Sequence, residues 1–289
     1  MTTPTLARRG TRADKLSSTL ALICKYVVLI LASAATLFPL LWTICNSFRS
    51  TEQIMTSFVL IPEQFKLDNY KTLFEVTDIL RAFGNSVSVT AVSLLLLCAL
   101  VLPVSFAISR YKFRMASKIY GLFSFAIMVP AISLLPMLYR QFSEMHLLGY
   151  KYSITFAYAI DQLPISVFLV VAFMRTIPME IDEAAVIDGC STWDLFWRFI
   201  LPLSRNGIIT MLILAFVAIW NDYMIALVLQ PNVVNKTLSV ILTYAKGEYF
   251  TDYGMMCAAV VFAVMPMLVF YFLIKNMLIS GMVLGAVKG

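Results

Sequence analysis

Apolar residues along this chain gather into runs of about twenty, the length a helix needs to cross the hydrocarbon core of a bilayer, and short charged segments separate them. Six such runs are read at residues 26–48, 83–109, 119–139, 152–174, 207–229 and 253–280. They predict an all-α polytopic membrane protein with six transmembrane helices. Pro103, Pro130, Pro136, Pro164 and Pro266 fall inside the runs. Proline is tolerable there because neighbouring helices can satisfy the freed carbonyl, and the prolines suit helices bent around a cavity and a static bundle almost equally. In the first run Ala32-Ser33-Ala34 imitates a signal-cleavage site. Hydrophobicity continues past it through Leu37, Leu40 and Ile44, so the run is expected to stay as an anchor.

The polar segments divide the chain into a basic tail at 1–25, a six-span body at 26–280 and a short tail at 281–289. Within the body, 49–81 is a loop whose amphipathic part, around Leu73, Phe74 and Ile79, is expected to lie along the interface. Arg110-Tyr111-Lys112-Phe113-Arg114 makes a tight basic turn. The most informative segment is 175–205. Pro178 followed by Glu180, Asp182 and Glu183 places a restricted φ and three carboxylates at a helix start, where acids face the positive end of the dipole. Gly189 can take the left-handed conformation that closes this helix. Ser191 with Asp194 matches a capping box for a second short helix, which Pro202 would end.

Composition agrees with the pattern: 61% of residues are hydrophobic and 13% charged, against roughly 25% charged in soluble domains. The net charge of +6 sits beside the apolar runs and forms no basic face with interleaved aromatics, so nucleic acid is not an expected partner and the lipid bilayer is. Cys24, Cys45, Cys98, Cys190 and Cys257 stand singly, without metal-ligand spacing, and His146 is the only histidine. They read as packing residues and a solvated loop residue. No phosphate-cradling glycine loop, nucleophile elbow or histidine pair is present in the sequence, so neither a cofactor nor a metal is expected and the chain is not read as an enzyme.

Ionisable groups inside spans mark transport paths, because an unpaired charge in lipid costs about 2.5 kcal/mol or more. Asp161-Gln162 and Trp220-Asn221-Asp222 are the two candidate groups. An amide beside an indole suits a hydroxyl-rich ligand through hydrogen bonding and stacking, and the same residues suit a buried contact that holds two helices together.

Glu183-Ala184-Ala185, Gly189 and the closing Leu201-Pro202 resemble the E-A-A-x-x-x-G-x9-I-x-L-P loop of ABC-importer permeases, with Phe199 where the family has Ile. Six spans, this loop between the fourth and fifth, W-N-D in the fifth and a G-A-V-K-G end together resemble the MalG-type permeases of carbohydrate ABC importers, over about residues 20–289. The resemblance implies a type I ABC-importer permease fold in a prokaryotic cytoplasmic membrane. It implies that the loop, including Asp188, Phe199 and Pro202, docks in a cleft of an ATPase. It also implies that the C-terminal tail, with Gly285, Lys288 and Gly289, reaches the ATPase dimer. The partners it implies are a MalF-like second permease, two ATPase subunits that hydrolyse ATP, and an extracytoplasmic sugar-binding protein.

A stand-alone secondary transporter would be expected to show inverted halves, which the sequence lacks. A membrane-embedded enzyme is opposed by the shortage of histidine, and an importer of another polar solute stays open. The Gly281, Gly285, Gly289 spacing could form a helix seam, but its place past the sixth span favours an extended tail. Of the 22 Lys and Arg residues, 14 fall on the side of the termini and eight on the other, which places both termini and the 175–205 loop in the cytoplasm. Impermeant thiol labelling of intact cells should therefore spare Cys190 and modify a cysteine placed at Gln64 in a background lacking the other cysteines. The opposite pattern would invert the orientation.

Overall fold

The computed structural model describes residues 12–59, 61, 62, 64–243 and 252–286, and among them there is no strand. The tail at 1–11, the loop at 244–251, Lys288 and Gly289 lie outside the described residues. Four helices are long and apolar enough to cross a membrane unaided: Thr19–Asn46, Ile79–Arg110, Ser153–Met174 and Tyr253–Phe272. Two bent helix pairs, Ala116–Ala126 with Ala131–Glu144 at 90° and Thr192–Leu203 with Arg205–Asn221 at 72°, bring the number of crossings to six if each pair serves one span.

In chain order, α1 (Arg12–Asn46) is followed by α2 (Thr51–Thr56), α3 (Asp68–Val76) and α4 (Ile79–Arg110). Next come α5 (Ala116–Ala126), α6 (Leu135–Glu144) and α7 (Ser153–Met174). The loop between the fourth and fifth spans holds α8 (Glu180–Ile187), α9 (Thr192–Asp194), a π-helical stretch (Leu195–Ile200) and α10 (Leu201–Leu203). The chain continues through α11 (Arg205–Asn221), α12 (Met224–Leu229), α13 (Leu238–Ile241) and α14 (Tyr253–Ala286).

Two expectations need correction, and the interruption expected at Pro130 is a full break. The third run is not one helix: Ile127 to Pro130 turn the chain through a right angle, and a 3-10 turn at Ala131–Leu134 starts the second arm, because Pro130 has no N–H to continue the ladder. The fifth run also breaks, at Asp222 and Tyr223, so α11 has 17 residues, about 25 Å at 1.5 Å per residue. Finally, the backbone of 281–286 continues α14 rather than extending. Gly281 and Gly285 alone do not stop a helix that the preceding apolar residues propagate.

The main core lies where α4, α7 and α11 meet. Val89, Leu97 and Val101 pack with Val167, Val170 and Val171, and Met211, Ala215 and Ile219 close the third side. A second cluster, with Leu73, Ile79, Trp220, Leu238 and Met255, joins α3 and α13 to the Ile79 end of α4, the Trp220 end of α11 and the Tyr253 end of α14. The segment around Leu73 is a helix, with Leu73 buried in this cluster beside Ile79, the first residue of α4, and Phe74 meets Phe262 of α14 edge-on at 5.6 Å. Outer faces of α1 and α14 carry exposed residues such as Val28, Leu31 and Val269, as lipid-facing helices do.

The 49–81 loop is tied by one cation. Arg49, 4% exposed, donates to Asn46 Oδ1 at 3.0 Å, to the carbonyls of Val59 (2.9 Å), Gln53 (2.6 Å) and Ser57 (3.0 Å), and to the Ser57 hydroxyl. A guanidinium can spread its five donors over such a set, and neutral carbonyls at this depth replace water for it. Asn69 then donates to the carbonyls of Ser47 and Arg49, both at 2.8 Å, fastening α3 to the end of α1.

Close helix approach flanks the 175–205 loop. A Cβ at Gly207, in the first turn of α11, would lie 2.4 Å from Phe173 Cγ and 2.5 Å from Phe173 Cβ near the end of α7. The Phe173 Cβ is fixed by its backbone, so no rotamer change relieves that contact. Gly207→Ala is expected to overpack this contact by about 1–3 kcal/mol and to lower the yield of folded protein in a detergent-stability assay. A Gly207→Ala protein as stable as the parent would refute the contact.

Candidate coupling surface and translocation path

Local chemistry shapes the 175–205 loop as its sequence suggests. Glu180, Asp182 and Glu183 fill the first turn of α8. At its end Gly189 has φ +79, its N–H meets the Val186 carbonyl at 3.0 Å and the Cys190 N–H meets the Ala185 carbonyl at 2.9 Å. That pair of bonds is a Schellman closure. The second helical segment opens on a reciprocal cap: the Asp194 N–H meets the Ser191 hydroxyl at 3.2 Å, and the Ser191 N–H meets Asp194 Oδ2 at 3.3 Å. The Ser191 hydroxyl and backbone bonds hold the Asp194 carboxyl below its ordinary range, with Arg198 adding to the effect.

The two helical segments present an exposed ridge. Glu183, Ala184, Asp188 and Gly189 are exposed, and Val186 and Ile187 are 64% and 85% exposed. Ala185 points the other way, 3% exposed in the chain's own core, so only Ala184 of the pair is open to a partner. Phe199 and Leu201 pack partly against that same core, while Pro202 is exposed.

Beneath the ridge lies a contact that the sequence reading missed. Arg110, the last residue of α4, reaches into the loop: its Nε is 3.7 Å from Asp182 Oδ2, with side chains 2% and 11% exposed, and its Nη1 donates to the Ile177 carbonyl at 3.0 Å. Burial pushes the Asp182 carboxyl up from its ordinary range; the Arg110 guanidinium opposes this and Glu183 adds to it. Tyr111 meets the Thr192 hydroxyl at 3.2 Å, and Phe106 packs on Phe196 at 5.0 Å between ring centroids. The available signal was the basic turn that Arg110 opens, read only as a marker of membrane orientation.

The candidate path residues do not share one face. Trp220 is 7% exposed, stacked on Phe216 at 5.7 Å and edge-on to Phe83 at 6.1 Å. Asn221 is exposed and donates to the Val217 carbonyl at 2.9 Å. Asp222 turns inward. Its Oδ2 accepts from Tyr158 of α7 at 2.8 Å and from the Ala226 N–H at 3.0 Å. The carboxylate thus caps the first turn of α12 and explains the break in the fifth run, since a restarted helix frees N–H groups that need an acceptor. Asp161 accepts from Gln162 at 2.7 Å, one turn beyond Tyr158 on the same helix. A cavity of about 260 Å³ opens beside this region, with Asn221, Tyr223 and Ser239 as its polar lining. No group of metal-ligating side chains occurs among the described residues.

Known proteins place this arrangement. The family described as binding-protein-dependent transport system inner membrane component matches residues 99–283. A probable starch degradation products transport system permease protein of Thermoanaerobacterium thermosulfurigenes is 31% identical over 86% of this chain and 91% of its own length. A diacetylchitobiose uptake system permease protein of Streptomyces coelicolor is 28% identical over 92% of this chain and 87% of its own. Among solved structures, a chain of a bacterial ABC transporter that imports the acidic polysaccharide alginate superposes with a TM-score of 0.80 at 17% identity, covering 93% of this chain and 99% of that one. The matched family region contains the whole loop, both candidate path groups and all of α7 and α11, and the chain therefore belongs to the binding-protein-dependent transport system inner membrane components.

Proposed function

We propose that this chain is the permease subunit of an ATP-driven importer for a sugar or oligosaccharide. It forms half of a translocation path beside a second permease, receives solute from an extracytoplasmic sugar-binding protein, and is driven by two ATPase subunits that carry out the hydrolysis. The observation that carries the reading is the exposed ridge of α8, set by the left-handed turn at Gly189 and stiffened by the Ser191–Asp194 cap. An apolar pair, Val186 and Ile187, beside a carboxylate at Glu183 suits a cleft in a partner protein better than water. Relatives named for starch degradation products and diacetylchitobiose support a carbohydrate as solute.

In this reading the ridge faces the cytoplasm, in line with the bias of Lys and Arg toward that side. The C-terminal tail with Gly285, Lys288 and Gly289 contacts the same ATPase subunits. Solute passes Asn221, Tyr223, Asp161 and Gln162, while Asp222 holds α12 against α7 and Trp220 packs behind.

Gly189→Val forces a β-branched residue into positive φ, at roughly 1–2 kcal/mol, and Glu183→Lys reverses the charge on the ridge. Both variants are expected to lose most of the ATPase subunits on affinity purification of the assembled complex. Thr192→Ala, which gives up one exposed hydroxyl contact, should retain them. Parent-like retention by Gly189→Val and Glu183→Lys would leave the ridge a surface turn and remove the basis of the proposal.

A further inference from the structure

The coupling loop joins the fourth and fifth spans in sequence, yet its side-chain contacts lead to the second. Three neighbours at the cytoplasmic end of α4 hold both of its helical segments. Arg110 grips the first through Asp182 and the Ile177 carbonyl, while Tyr111 and Phe106 grip the second through Thr192 and Phe196. From there α4 runs along α7 through Val89, Leu97, Val101, Val167, Val170 and Val171 in one continuous core.

We propose that the buried Arg110–Asp182 pair is the joint through which the coupling loop moves the second span, so that α4 and α8 travel as one body when the ATPase closes. The inference rests on the docking reading above. Two features separate a joint from a fold-stabilising contact. A buried ion pair is a poor source of stability, since desolvation offsets much of the attraction and apolar replacements often do as well. The pair is also incompletely bonded: Arg110 Nε and Nη2 and Asp182 Oδ1 are buried without a hydrogen-bond partner, and the 3.7 Å separation is an ion-pair distance beyond good hydrogen-bond geometry. Coulomb attraction falls gradually with distance, whereas a hydrogen bond fails within a few tenths of an ångström. Such a contact holds the two elements together through small displacements that would break a hydrogen bond. Arg110 is accordingly a positioning residue, acting on α8 through Asp182.

The test uses the full complex with its ATPase subunits in lipid nanodiscs, in a background lacking the native cysteines. Spin labels at Arg114→Cys and Glu180→Cys, both exposed in the parent, report the distance between the turn that follows α4 and α8. It is measured without nucleotide and after trapping with ATP and vanadate. The proposal expects one narrow distance in both states, a broadened or nucleotide-dependent distance with Arg110→Gln, and recovery with Arg110→Lys, which keeps the charge. ATPase subunits should stay bound throughout. Three results would overturn it: Arg110→Gln as narrow and nucleotide-insensitive as the parent, a parent distance that itself changes with nucleotide, or loss of the ATPase subunits from Arg110→Gln, which would make the pair structural. Glu183→Lys in the same series reports on docking separately, since its retention of the ATPase would contradict the docking reading whatever the label distances show.

Discussion

Hydrocarbon offers no partner to a backbone N–H, a carbonyl or a charge, and the arrangement of this chain follows from that constraint. Wherever the chain departs from a straight helix, a polar group must find its partner inside the protein. Asp222 does this at the break between α11 and α12, where it accepts from Tyr158 and from the freed N–H groups of the restarted helix. Arg49 does it just past the C-terminal end of α1, where one guanidinium collects the carbonyls of the following turn. At the opposite end of α4, Arg110 does the same with Asp182 and Ile177. Each of these residues joins segments that apolar packing alone would leave free to slide.

The features legible in the sequence were those encoded within a few residues. Apolar run length located the spans, and Pro178, Gly189, Ser191 and Asp194 set both helices of the 175–205 loop by short-range capping and backbone chemistry, which needs no tertiary information. The features that were not legible depend on residues far apart in the chain. The break at Asp222 is hidden because apolar residues continue through Leu229, and only the position of Tyr158 shows where the carboxylate turns. Ala185 resembles Ala184 in sequence but faces the core. Arg110 and Asp182 each carry a local explanation, one as a basic turn residue and the other as a helix-start acid, so neither announced the other. The right angle before Ala131 was half legible: Pro130 marked an interruption without fixing its angle.

Taken together, the contacts describe a force path. Under the proposed function, the exposed ridge would meet the ATPase on one side, and on the other an ion pair and two aromatic or hydroxyl contacts tie it to the end of a helix 32 residues long. That helix packs along α7, which in turn carries Tyr158 and through it Asp222 beside the candidate path. Movement at the ridge thus has a continuous packed route to the polar residues at the far end of the fifth span, as coupling between distant sites requires a physical element that both can bias.

The central claim is that the α8 ridge is the surface on which the ATPase acts. A photo-reactive phenylalanine analogue at Ile187, 85% exposed on the ridge, should form an adduct with the ATPase subunit when cells carrying the complete transporter are irradiated, while the same analogue at Leu122, 65% exposed on α5, should not. An absent adduct from Ile187, with the complex shown to be intact, or equal capture from Leu122, would contradict the account.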